Sequence, residues 1–360
     1  MALGISGTDV ELQKPINVIM VQSLLRNAKP RAVYFTGTSP GEISRHGGTA
    51  TLKWRRIENI APSTTALSEL TGDASYMQGR DSVALSTTDV VATVAKYGQY
   101  VILNEEADVF NFSPQMNKIF EVIGISAGRS ANRLQRNIVE DNATIVRVGN
   151  AGSDGAVVSK MTVASIEQTV NTLNRNTAMT FTPQTPGSTN IGTSPILPSY
   201  WGIAHTDVAY DISKLAGFKG VETYGSQTQT APGEFGMIQS AGTAVRFIQS
   251  EEASIDTNSG GTTGSTDLRG ATNIDLYTVP IYGMDALGSV GLGVQYPDGV
   301  FDPGSNIDAI EVISKPFGSG GTSDPFNEIM TIAYKLWHAG AVLNPAWVRA
   351  IKCGATNLSN

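Results

Sequence analysis

The chain has 360 residues, 41% of them apolar and only 16% charged, and carries a net charge of −7. A charged fraction below the ~25% usual in soluble domains suits β-rich structure with long loops, or surfaces that partners cover, and the negative balance argues against a broadly basic nucleic-acid face. The single cysteine, Cys353, excludes intrachain disulfides and C-x-x-C zinc sites. "MALGISGTDVELQKP" lacks a signal-peptide pattern and no apolar run approaches the ~18 residues of a membrane span, so a soluble, unsecreted chain is expected.

Residues 1 to about 35 read as an arm, polar at first and then briefly amphipathic in "INVIMVQSLLRNAKP". After a Gly-rich stretch, "TATLKWRRIENI" places Ala50, Leu52 and Trp54 on one side and Thr51, Lys53 and Arg55 on the other, the alternation of a strand. "SVALSTTDVVATVAKYGQYVIL" is rich in β-branched and aromatic residues and has no helical stripe. Two long strands with a turn-rich middle and no crossover helix predict an extended β-hairpin, not neighbours in a parallel sheet.

From 113 the period changes. Ser113 as N-cap and Pro114 at the first helical position open a helix. Its apolar residues Met116, Phe120, Ile123, Ala127, Ala131, Leu134 and Ile138 recur at spacings of three and four. Arg129, Arg133 and Arg136 fall on the opposite face, read first as solvated and second as a contact to nucleic acid or a neighbour's acids. Further on, "MTVASIEQTVNTLNRNT" predicts a helix, and "WGIAHTDVAYDISKLAGF" a strand running into one. A Pro/Gly/Ser/Thr-rich loop separates them. "GEFGMIQSAGTAVRFIQSE", "NIDLYTVPIYGMDALGSVGL" and the end of the chain from 307 read as strands.

Gly124-Ile-Ser126-Ala-Gly128 spells G-x-S-x-G, the strand-to-helix elbow that presents the serine of an α/β-hydrolase. His46-Gly47-Gly48-Thr49 resembles a lipase oxyanion motif, and His338 completes the chain order of a triad. Against an esterase, the apolar stripe is helical before Gly124 and keeps its phase past Gly128, whereas an elbow would break it. The span between His46 and Ser126 shows long alternating strands, and His338 lies inside the regular segment "MTIAYKLWHAGAVL". Ser126 is therefore expected inside a helix, between glycines that allow close packing or a bend.

Other candidate sites are weaker. His205, Asp207 and Asp211 gather a histidine and two carboxylates, but no second histidine is near, and a helix-start carboxylate explains Asp207 or Asp211 equally well. Histidines only at 46, 205 and 338 exclude an H-E-x-x-H site, and "GTSPGEIS" lacks the Gly-Lys-Ser/Thr of a phosphate loop. No catalytic, cofactor-binding or metal-ligating residue is expected. Trp54 with Lys53, Arg55 and Arg56 reads as an inter-subunit contact or plain strand surface ahead of a nucleic-acid stacking platform.

The order of arm, β excursion, long helix, mixed middle and strand-rich end resembles the tailed-phage major capsid fold called the HK97 fold, with its N-arm, E-loop, spine helix, P domain and A domain. Segments also look like the major capsid protein family of N4-like podoviruses. The matching features are Trp54-Arg55, residues 67–72, Tyr97-Gly98-Gln99-Tyr100-Val101, Asp324-Pro325-Phe326, Lys335-Leu336-Trp337 and Leu343-Asn344, in scattered blocks from about 46 to 352. Thr206 stands where that family often has a proline after its histidine.

The resemblance implies an α+β chain divided into an N-arm (1–43), an E-loop hairpin (44–103), a spine helix with the first part of the P domain (104–195), an A domain (196–310) and C-terminal P-domain strands (311–360). It implies a structural protein, not an enzyme, that self-assembles into an icosahedral shell enclosing phage double-stranded DNA. Assembly is expected in the host cytoplasm, with the product in the virion. Implied partners are copies of itself in hexamers and pentamers, with scaffolding, portal or decoration proteins besides. DNA is enclosed but not specifically bound, and no membrane or cofactor is involved. Lys53, Trp54, Arg55, Arg56, Tyr97 and Tyr100 are expected at inter-subunit contacts. A serine esterase using Ser126, and a phage tail or decoration protein, are the alternatives.

Overall fold

A computed structural model describes residues 32–43, 49–58, 60–64, 84–109, 115–181, 196–224, 231–240, 242–262, 267–292, 310–320 and 324–358. Residues 1–31 of the arm expected over 1–43, His46 to Gly48, most of the hairpin's turn-rich middle, and the Ser113-Pro114 cap lie outside them.

A 3-10 turn at Val33–Phe35 leads into β1 (Ser39–Ile43). β2 (Thr51–Ile57) and β3 (Thr87–Thr93) then pair antiparallel from Thr51↔Thr93 to Ile57↔Thr87, as the hairpin pattern predicts. The rest of the expected second hairpin strand, residues 95–104, leaves the hairpin and pairs a strand near the end of the chain instead. Leu52, Trp54 and Arg56 are half-buried while Thr51, Lys53, Arg55 and Ile57 are exposed, which is the alternation read from the sequence. Next come β4 (Ala95–Asn104), the short α1 (Glu105–Val109) and the 28-residue α2 (Gln115–Asn142), one helix through Gly124 and Gly128. β5 (Thr144–Arg147) precedes α3 (Val163–Arg175). A reciprocal Thr162/Ser165 capping box starts α3, whose Ile166, Thr169, Val170 and Leu173 form its buried face. β6 (Ser199–His205) runs directly into α4 (Thr206–Ser213), with His205 as N-cap.

The remaining strands are β7 (Phe218–Gly220), β8 (Glu234–Ser240), β9 (Thr243–Ser250), β10 (Ile255–Asp256), β11 (Leu276–Tyr282), β12 (Leu287–Leu292), β13 (Ile310–Lys315), β14 (Ile329–Val342) and β15 (Val348–Cys353). Two larger sheets organise them. In the first, β14 pairs β13 over 331–336, β4 over 329–338 and β12 over 338–342, and β12 pairs β1 in parallel. β4 and β13 address the same β14 residues, so they lie on its opposite edges. Met330, Ile332, Tyr334 and Leu336 alternate as the buried row of β14, and α2 lays Phe120, Ile123, Ala127 and Ala131 across it. The apolar stripe of the long helix is therefore its face toward this sheet.

The second sheet has the order β5-β15-β11-β6-β9-β8-β7, with β10 on β11. Its central strands are buried on both sides and read as near-continuous apolar runs. A cluster including Tyr34, Val139, Trp201, Ile203, Ile248, Tyr282, Leu287 and Val348 joins the two sheets. The sheets draw on several of the expected segments: β12, within 196–310, belongs to the first, and β15, within 311–360, to the second.

One ion pair lies fully inside the second sheet. Arg246 on β9 donates from Nε and Nη2 to the two carboxylate oxygens of Glu234 on β8, at 2.6 and 2.8 Å. Tyr224 adds its hydroxyl at 3.0 Å, and the guanidinium lies over the rings of Trp201 and Tyr224 at 4.9 and 5.4 Å. Such a fork is tolerated in a core because each charge is met and hydrogen-bonded; removing one partner alone typically costs about 3–5 kcal/mol.

Candidate assembly surface

The six residues expected at contacts fall in two places. Lys53 and Arg55 stand on the exposed side of β2 and both reach Asp89 on β3, at 2.6 and 2.9 Å. Hydrogen bonds from Arg55 and then Lys53 hold that carboxyl down to about 2. Exposed pairs of this kind organise a surface and contribute little stability. Trp54 turns the other way, with Leu52, onto a small cluster of Ile43, Ala92, Val290 and Ala339. Its ring presses on the backbone at Gly41 and Gly288, where a Cβ would come within 2.9 and 3.0 Å of it, so larger residues would push the hairpin off the sheet. Arg56 donates to the Leu343 carbonyl at 2.9 Å and grips Glu58 at 2.6 Å. The root of the hairpin is thus moored to its own chain by Trp54 and Arg56, and its outer face is presented by Lys53 and Arg55.

Tyr97 and Tyr100 lie on β4. With Val101 and Ile102 they form a run of large side chains exposed to between 40% and 68%.

A groove of about 900 Å³ opens beside the hairpin root, with Trp54, Ile57, Met179, Leu343 and Trp347 in its walls. Of its charged lining, Arg55 is bound to Asp89, Arg56 to Glu58, and Asp285 to the Ser39 hydroxyl at 2.6 Å. These are structural pairings, and they do not make a nucleophile with a base.

Ser126 sits within α2 and donates its hydroxyl to Gln99 Oε1 at 2.7 Å, so the strand-to-helix turn of an elbow is not at this position. Gln99 is in register with Tyr334, four residues along β14 from His338, a strand distance of roughly 13 Å. The His338 ring instead meets Phe35 edge-on, with centroids 5.5 Å apart. The serine and histidine of the candidate triad belong to different neighbourhoods.

The arginine stripe of α2 keeps Arg129 and Arg133 half exposed, as a solvated face would, but it also has a partner. Arg129 and Arg133 both bind the carboxylate of Glu252, and Arg136 donates to the Glu252 carbonyl at 2.7 Å. The acid that meets the stripe is the chain's own, in the turn after β9. A partner more than a hundred residues away leaves no local signature in the sequence.

The His205 cluster is also internal. His205 Nδ1 accepts the Asp207 N–H at 3.1 Å, while Asp207 takes Arg269 and the Tyr277 hydroxyl, the latter at 2.8 Å. Asp211 accepts from the backbone and side chain of Thr356 near the end of the chain. Burial lowers the His205 pKa, against the pull of Asp207. Among the described residues no three His, Cys, Asp or Glu side chains gather as a metal site, and no helix is long and apolar enough to cross a membrane.

No protein-family model and no curated protein matches the chain. Solved structures do. The capsid of Ralstonia phage GP4 aligns with a TM-score of 0.59 at 10% identity, over 92% of this chain and 93% of that one. The head structure of Helicobacter pylori bacteriophage KHP40 aligns with 0.53 at 9% identity, over 90% and 91%. The capsid of cyanophage P-SCSP1u aligns with 0.52 at 12% identity, over 89% and 88%. The chain has the HK97-type capsid fold, of the α+β class.

Proposed function

We propose that this chain is the major capsid protein of a tailed phage, of the N4-like podovirus kind, and that many copies close into an icosahedral shell around double-stranded DNA. The observation that carries the reading is the alignment with the GP4 capsid along nearly the whole of both chains. Scattered blocks such as Tyr97-Gly98-Gln99-Tyr100-Val101 and Lys335-Leu336-Trp337 support the narrower kinship. On this reading residues 44–103 are the E-loop, whose β2–β3 part reaches over a neighbouring copy with Lys53 and Arg55 outward while β4 stays in the chain's own first sheet, and α2 is the spine helix. Hexamers and pentamers are the building units, assembled in the host cytoplasm, with scaffolding, portal or decoration proteins as partners.

A two-stranded hairpin alone is marginal in water, so an extension of this kind makes sense where copies cover one another. Retention of the genome follows from closure of the shell. The net charge of −7 disfavours a grip on phosphates, and the most basic stripe, on α2, is engaged by Glu252.

Electron microscopy of the purified chain, expressed alone and with candidate scaffolding protein, tests the reading; closed shells are expected. Ser126→Ala should leave their yield unchanged. Uniform compact monomers or dimers that hydrolyse a short acyl ester, and lose that activity with Ser126→Ala, would overturn it in favour of the esterase.

A further inference from the structure

Strand β4 is an edge. It pairs β14 from Ala95↔His338 to Asn104↔Ile329, and among the described residues no strand pairs its other side. Natural edges are usually short, charged, bulged or covered, because their free N–H and C=O groups template pairing with another chain. This one runs ten residues and is apolar from Tyr100 to Leu103. The register with β14 puts Tyr97 and Val101 on the face toward α2, and Tyr100 and Ile102 on the opposite face. Both faces beside the open edge therefore carry bare apolar side chains, with Tyr100 the most exposed at 68%.

The strand is also charged in opposite senses at its two ends. Lys96 stands at the start, Glu105 and Glu106 stand just past the end, and all three are exposed. Two such strands laid antiparallel, Tyr100 opposite Tyr100, bring each Lys96 opposite Asn104 and next to Glu105 of the other copy. Parallel pairing would instead set lysine beside lysine and glutamate beside glutamate, which destabilises a sheet. The antiparallel register also matches sizes: Gly98 falls opposite Ile102 on the same face, so the large side chain of one copy covers the bare backbone of the other.

We propose that β4 pairs edge to edge with β4 of a second copy, antiparallel about Tyr100, so that the first sheet of one copy continues into that of its neighbour. The contact is isologous, one strand serving both sides of a two-fold axis. It rests on the capsid reading in taking a second copy as the partner.

The cysteine content makes a direct test available, because the single native thiol, Cys353, is fully buried. In the full chain carrying Tyr100→Cys, the paired positions fall about 4.5–5.5 Å apart between Cα atoms, within reach of a disulfide. Mild oxidation should give a covalent dimer, while Gln168→Cys on the exposed side of α3 should stay monomeric under the same treatment. In the Tyr100→Cys background, Lys96→Glu or Glu105→Lys alone should lower the dimer yield severalfold, and the two together should restore it. Closed shells in which Tyr100→Cys stays uncrosslinked would overturn the edge pairing and leave the capsid reading standing, as would a double charge reversal no better than the single ones. Crosslinked dimers from a chain that never forms shells would support the pairing and count against the capsid reading.

Discussion

His338 shows how burial sets the chemistry of one residue. Its side chain lies on the buried row of β14 with 5% exposure, against Phe35, and its Nε2 has no hydrogen-bond partner among the described residues. Burial pushes its pKa down to about 4. The same residue in the unfolded chain titrates near 6.5, so between those values the unfolded state binds a proton that the folded state refuses. Stability is then fully present above about 6.5 and falls as the pH drops toward 4, by on the order of 3 kcal/mol in all. His338→Phe keeps the ring contact and removes the titration. Urea denaturation at pH 7.5 and 4.5 should show a smaller acid loss in the variant than in the parent; equal losses would mean that His338 is not the residue responsible.

At the scale of the element, β4 meets β14 more closely than side chains usually allow. A Cβ on Gly98 would lie 2.6 Å from the Tyr334 carbonyl oxygen, and a backbone atom in mid-strand cannot turn aside as a side chain can. Gly98→Ala should therefore cost about 1–3 kcal/mol, read as a lower denaturation midpoint with an unchanged slope. A variant as stable as the parent would show that the strands separate there at no cost. This close approach was not legible in the sequence, which showed only a glycine inside a strand. The legible elements were those with a local period: the alternation of Leu52 and Trp54, the stripe of α2 through Ser126, and the strand running into a helix at His205. What escaped was pairing between distant segments. Nothing near β15 marks β5 and β11 as its neighbours, and nothing near Arg246 marks a buried partnership with Glu234. For the contact residues the alternation correctly separated Trp54 from Lys53 and Arg55, but what the inward face of Trp54 would meet depended on β1 and β12, far away in the chain.

Across the whole molecule, the two sheets are held together by an apolar cluster and by the grip of α2 on the turn after β9. Three arginines at helical spacings of four and three close on one glutamate, while Glu140, further along the helix, accepts from the Tyr34 hydroxyl at 3.2 Å. Burial by itself would raise the Glu252 carboxyl, but hydrogen bonds from Arg133 and Arg129 outweigh it and hold its pKa below the usual glutamate value. A carboxyl depressed in the folded state contributes stability above the unfolded value, and that contribution is lost as the pH falls through the folded one. Glu252→Gln removes the charge and leaves both guanidinium groups within reach of water, so the change should loosen the joint without unfolding either sheet. Hydrogen exchange at pH 7 should quicken in residues 251–254 and in the arginine-bearing turns of α2, while the central amides of β6 and β11 stay protected as in the parent. The difference should shrink in acid below the glutamate range, where the parent's own carboxyl is protonated. Faster exchange throughout both sheets would mean that the clasp supports the whole fold, and unchanged exchange in the turn would mean that the apolar cluster alone joins the two halves.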